Sequence, residues 1–151
     1  MGIFDFFKKK EETKKDEILE ELILFSMTAI ELAGHEIEGT GSFLPFGGIL
    51  TTENGFQKIV YIDPSKTEVD HRENATIVQN ILMKKYNEEN CKLMFMAFDG
   101  IAHLPTGDID SINVRVGNKR AGLHKILTYP YKLTNGKMTI VDIDNPVIRE
   151  V

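Results

Sequence analysis

The chain has 151 residues, 42% hydrophobic and 27% charged. That length predicts one domain with its own core, and the composition excludes a disordered chain, a collagen and a disulfide scaffold. The net charge of −5, from 18 Lys and Arg against 23 Asp and Glu, argues against nucleic acid, whose phosphates need a basic footprint, and suits solubility or a basic partner.

Residues 1–12, MGIFDFFKKKEE, form a head of phenylalanines, lysines and glutamates. It is expected to be a flexible or amphipathic turn ahead of a single domain over 13–151. Over 13–37, Ile18, Leu19, Leu22, Ile23, Ser26, Met27 and Ile30 recur at helical spacing, and Thr13 with Asp16 resembles a capping box. Leu24, Phe25 and Leu32 widen the apolar stripe beyond what one sheet face needs. Two strand-like runs, 43–51 and 56–63, flank Thr52-Glu53-Asn54-Gly55, and Asn-Gly between apolar runs is the strongest short hairpin signal. Pro45 predicts an edge or bulge, and Gly47-Gly48 a kink.

A second helix is expected from residue 67 or 74 to 88, with Ala75, Val78, Ile81, Leu82 and Tyr86 on its apolar side. Residues 91–98 are apolar at both phases of a two-residue period, the pattern of a strand covered on both faces. A loop then runs through Gly100, Pro105 and Gly107, before Ile112, Val114 and Val116 alternate with polar residues as a half-buried strand. Residues 123–133 read as a strand interrupted by Pro130. Asn135-Gly136 turns into a last strand at Met138, Ile140 and Val141, and Asp144-Asn145-Pro146 leads to a short tail. The expected fold is α+β: an antiparallel sheet of about six strands with two helices packed on it, in the order α-β-β-α-β-β-β-β. Both helices are expected on one face of that sheet.

Chemistry is sparsely signalled. The glycines at 39, 41, 47 and 48 miss G-x-G-x-x-G because residue 44 is Leu, and Gly136-Lys137 is followed by Met138, not Ser or Thr. The four histidines, His35, His71, His103 and His124, form no H-x-x-x-H pair. The best polar cluster is Asp99, His103, Asp108 and Asp110, whose oxygens and imidazole suit a divalent ion or acid–base work. Residue 112, where a calcium loop would need a ligand, is Ile, and aspartates beside glycines ordinarily cap turns. No metal, cofactor or catalytic residue is therefore expected. Cys91, the single cysteine, rules out internal disulfides and multi-cysteine zinc sites and fits a reducing, cytoplasmic setting. Strand alternation puts it on the face of Leu93 and Phe95, as a buried structural thiol. Neither a secretory signal nor an apolar run of the roughly 20 residues needed to span a membrane is apparent.

The head lacks a myristoylation motif, since Phe6 stands where Ser or Thr is required. Its Phe4, Phe6 and Phe7 beside Lys8, Lys9 and Lys10 leave only a weak route to a membrane surface. The candidate interaction surface is Phe4, Phe7, Ile18, Leu22, Phe25 and Leu32, with Glu20, Glu21 and Glu31 at its rim. A second copy is the expected occupant, because two-fold dimers dominate soluble oligomers.

Phe43-Leu44-Pro45-Phe46 and Tyr129-Pro130-Tyr131 resemble signatures of small bacterial proteins of unassigned function, over about two thirds of the chain. That resemblance implies a bacterial cytoplasmic setting and a shared α+β fold, with no activity, cofactor or catalytic residue. The element order is also similar to roadblock-like modules, which act as dimeric adaptors, although the third helix of those modules is missing. The expected function is a non-enzymatic protein-binding module: an adaptor, a regulator or an immunity-type protein whose acids meet a basic partner. The alternative is a small enzyme or small-ligand-binding protein using the segment from Asp99 to Asp110.

Overall fold

The computed structural model describes the backbone of residues 3–88 and 90–151, and side chains from residue 14 onward within those limits. The elements are α1 (Ile3–Thr40), β1 (Phe46–Thr51), β2 (Phe56–Ile59), α2 (His71–Tyr86), β3 (Cys91–Leu104), β4 (Gly107–Asn118), β5 (Leu123–Thr134), β6 (Lys137–Ile140) and β7 (Val147–Glu150). The strands form one sheet in the order β2-β1-β3-β4-β5-β6, with β7 also on β5. Every pairing is antiparallel. The α+β class and the element order are as expected, and the tail supplies the additional strand β7.

The two helices lie on opposite faces of the sheet rather than on one. Successive strand residues point to opposite sides. Leu93, Phe95 and Ala97 of β3 join α1 in one core, with Ile112, Val114 and Val116 of β4 and Leu127, Tyr129 and Tyr131 of β5. Met94 and Met96 join Val78, Leu82 and Tyr86 of α2 in a second core. The doubly apolar run at 91–98 therefore needs a helix on each side, and two helices on one face would leave half of it in water. Cys91 belongs with Met94 and Met96, not with Leu93 and Phe95, because the register slips where Thr51 pairs Cys91. The bulge shifts the alternation by one residue.

Gly47-Gly48 serves this double packing and makes no break in β1. A Cβ on Gly48 would come within 2.5 Å of the Phe95 ring, and one on Gly47 within 3.2 Å of Leu82. One glycine admits the aromatic cluster beneath α1, where Phe95 stacks on Phe56 at 6.0 Å and meets Phe25 at 5.1 Å. The other admits α2.

Two further differences come from strand length. The expected loop after Asp99 is a long hairpin, with β3 and β4 paired as far as Leu104 and Gly107. Pro130 does not interrupt β5. β7 pairs β5 up to Thr128, β6 begins at Tyr131, and the Pro130 carbonyl accepts from Val141 N at 2.9 Å. The missing N–H of Pro130 thus falls in the gap between two short edge strands, where no ladder bond is lost. α1 starts at Ile3, ahead of the expected position, and its 38 residues reach about 57 Å. No helix among the described residues is long and apolar enough to cross a membrane.

Candidate binding site

The predicted polar cluster falls on one face of the β3–β4 hairpin, because Asp99 pairs Ile112, Ile101 pairs Asp110, and His103 pairs Asp108. Only one contact closes within it: His103 Nδ1 lies 2.7 Å from Asp108 Oδ1, with both side chains largely exposed. Asp99 and Asp110 sit nearer Tyr131, whose hydroxyl is pushed up to about 12 by burial and by these two carboxylates. Burial also raises the Asp99 pKa, and the Asp110 charge adds to this. No three His, Cys, Asp or Glu side chains among the described residues converge as a metal site. Phe98 lies on the α2 side of the sheet, away from Tyr129 and Tyr131, so these aromatics line no common pocket.

Of the predicted interaction surface, Leu22 is fully buried in the core beneath α1. Phe25 packs on Phe56 and Phe95, while Ile18 and Leu32 lie half-buried against the same core. The wide apolar stripe is consumed inside the chain because the sheet curls around α1, which touches β3, β4, β5 and β6. Leu24 is the member left outside, at 72% exposed. The side chains of Phe4 and Phe7 lie outside the described residues.

The richest polar geometry lies elsewhere, on the sheet face that α2 only partly covers. α2 packs on β1, β2 and β3. Asp70 starts it, its carboxylate accepting from Arg72 N at 2.9 Å and Glu73 N at 3.2 Å. Beyond its edge, register places Met96, Arg115, Ile126 and Arg149 in one row across β3, β4, β5 and β7. The next row holds Phe98, Asn113, Thr128 and Val147. Thr128 donates to Asn113 Oδ1 at 2.7 Å, and Arg149 Nη2 reaches Asn113 Oδ1 at 3.4 Å and Thr128 Oγ1 at 3.3 Å. Gly100 makes room for this network, since a Cβ there would stand 2.1 Å from Asn113 Nδ2.

Between α2 and this face runs a groove of about 400 Å³, floored by Met96, Phe98 and Ile126 and flanked by Arg72, Arg115 and Asp99. Arg115 is half-buried and its Nε is enclosed without a partner. Among the described residues, no carboxylate lies within 4 Å of Arg72, Arg115 or Arg149. These arginines carry no distinguishing signal in the sequence: Arg115 is one polar position in an alternating strand, and Arg149 lies in the expected tail.

His124 sits at the far end of the same face. Its Nε2 lies 3.5 Å from the Tyr86 hydroxyl, and its Nδ1 is buried without a partner. Burial lowers its pKa, and the Arg115 charge lowers it further. Burial raises the Cys91 thiol, which suits a packed side chain rather than a nucleophile. Comparison with protein-family models, curated proteins and solved structures finds no match to this chain.

Proposed function

We propose that the chain is a non-enzymatic protein-binding module and that it presents the outward face of α1 to a basic partner. One observation carries this reading. Glu17, Glu20, Glu21, Leu24, Glu31, His35 and Glu38 are all exposed and recur at helical spacing along α1. Glu21 has one basic neighbour, Lys92 at 3.7 Å, and none of the other four glutamates has a basic group within 4 Å among the described residues. An acidic stripe with one exposed leucine at its centre offers both steering and an apolar anchor.

A groove of about 470 Å³ alongside, between Gly34 of α1 and Ile140 and Ile143 beyond it, adds apolar surface edged by Glu31 and Glu38. Like charges disfavour a second copy on this face, so the partner is a different protein with a basic, partly apolar contact surface. An adaptor and an immunity-type protein would use such a surface alike.

A photo-crosslinking residue at Leu24 should trap one basic protein from native lysate, and the same residue at Gln57 on β2 should not. Trapping should weaken when salt is raised well above physiological strength. It should vanish when Glu31→Lys and Glu38→Lys are combined. Equal trapping at both positions, or trapping indifferent to charge reversal, overturns the proposal.

A further inference from the structure

We infer that the groove between α2 and the open sheet face is a binding site for a small amphiphilic monocarboxylate, its head held by Arg72 and Arg115 and its apolar body lying on Met96, Phe98 and Ile126. This site is separate from the acidic face of α1 and does not depend on it.

Three observations converge. First, the groove has ligand dimensions, about 400 Å³, with an apolar floor and walls that carry His71, Arg72, Gln79 and Arg115. Second, Arg115 is half-buried with its Nε enclosed and unpaired, and no carboxylate within 4 Å neutralises it among the described residues. A charge taken partly out of water in this way gains from a fixed counter-charge. Arg72 lines the same groove from the first turn of α2, so two planar guanidinium forks border it, each shaped to pair with a carboxylate. Third, Arg115 shares its row with the apolar side chains of Met96 and Ile126, so an anion that carries an apolar body is favoured there over a fully hydrated one such as phosphate.

The floor sets the rest of the ligand. Met96 of β3 and Ile126 of β5 flank Arg115 on either side in one row, and Phe98 stands in the next, so apolar surface adjoins the head for the body to lie on. Met adapts its shape to an irregular occupant. An aliphatic and an aromatic carboxylate share this chemistry, and the floor accepts both.

The test is a titration of the full chain, followed by NMR at the arginine Nε–Hε groups and at the Met96 and Ile126 methyls. Octanoate and benzoate are the probes, with octanol as neutral isostere and inorganic phosphate as competing anion. Saturable shifts at Arg115 Nε–Hε and at both methyls with octanoate, stronger than with benzoate, identify an aliphatic ligand; the reverse order identifies an aromatic one. Arg72→Gln, an exposed substitution that leaves the core untouched, should weaken binding about tenfold, the loss expected for a hydrogen bond to a charged group. Arg115→Met should abolish it. The inference fails if neither carboxylate produces saturable shifts, if octanol matches octanoate, if phosphate displaces octanoate at lower concentration, or if Arg72→Gln binds as the parent does.

Discussion

Ser26 and Tyr129 form a buried polar pair that ties the middle of α1 to β5. Ser26 Oγ donates to the Ile23 carbonyl at 2.6 Å, which uses its only proton. In the 2.7 Å contact between the two hydroxyls, Tyr129 is therefore the donor. Both side chains are fully buried. Ser26→Ala leaves the tyrosine hydroxyl without a partner and should destabilise by about 1–3 kcal/mol, whereas Tyr129→Phe removes the stranded group and should cost nearer ~1 kcal/mol. The double variant should lose less than the sum of the two, as read from urea unfolding midpoints.

His124 makes a pH prediction at the same scale. Its folded pKa lies below the ordinary value because of burial and then the Arg115 charge. The neutral form is thus favoured in the fold. Its stabilising contribution is complete above the unfolded value of about 6.5 and is lost as pH falls below it toward the depressed folded value. Asp99 works in the opposite sense, since its raised pKa favours folding as pH falls toward the ordinary carboxylate range. The difference in Tm between the parent and His124→Gln should therefore narrow as pH drops from 7 to 5. An unchanged difference would show that His124 titrates alike in both states.

Among the elements, β1 is the most constrained by size. It lies between β2 and β3 and carries no side chain at 47 or 48, since one glycine faces Leu82 and the other faces Phe95 and Phe56. Gly48→Ala places a methyl 2.5 Å from the Phe95 ring and should destabilise by about 1–3 kcal/mol, the range for overpacked cores. Gly47→Ala meets Leu82 at 3.2 Å, a contact a flexible side chain can relieve, and should cost less. A Gly47→Ala loss equal to or greater than that of Gly48→Ala would overturn this ranking. α2 depends on its first residue contact: Asp70→Ala strips the cap from two amides and should cost ~1 kcal/mol.

For the whole molecule, the sheet is a wall between two cores, and protection should follow coverage. β3 is covered on both faces and paired on both edges over its first half. β2 and β7 are four-residue edge strands, and every residue of β7 is exposed. Amide hydrogen exchange should be slowest at Phe95 and Val114, at the global unfolding limit, and fastest at Gln57 and Ile148. Rapid exchange at Phe95 would mean that the two cores open independently.

What the sequence determined alone was local. Turn chemistry and periodicity sufficed for both helices and six of the strands, and for the hairpin at Asn135-Gly136, where both residues take positive φ. The buried state of Cys91 was legible too, because an apolar run around a thiol leaves it little else to do. The strand at Val147–Glu150 was not legible, because four exposed residues become a strand only when β5 offers its free edge. The side each helix takes was equally hidden. A strand apolar at both phases calls for two coverings, but one bulge at Thr51–Cys91 decides which residues face which helix. The binding groove depended most on tertiary structure. Arg72 and Arg115 come from α2 and β4, and only strand register and the partial reach of α2 bring them to one groove. Spacing along the chain reports neighbours within an element, while a site assembled across elements exists only once the sheet has closed.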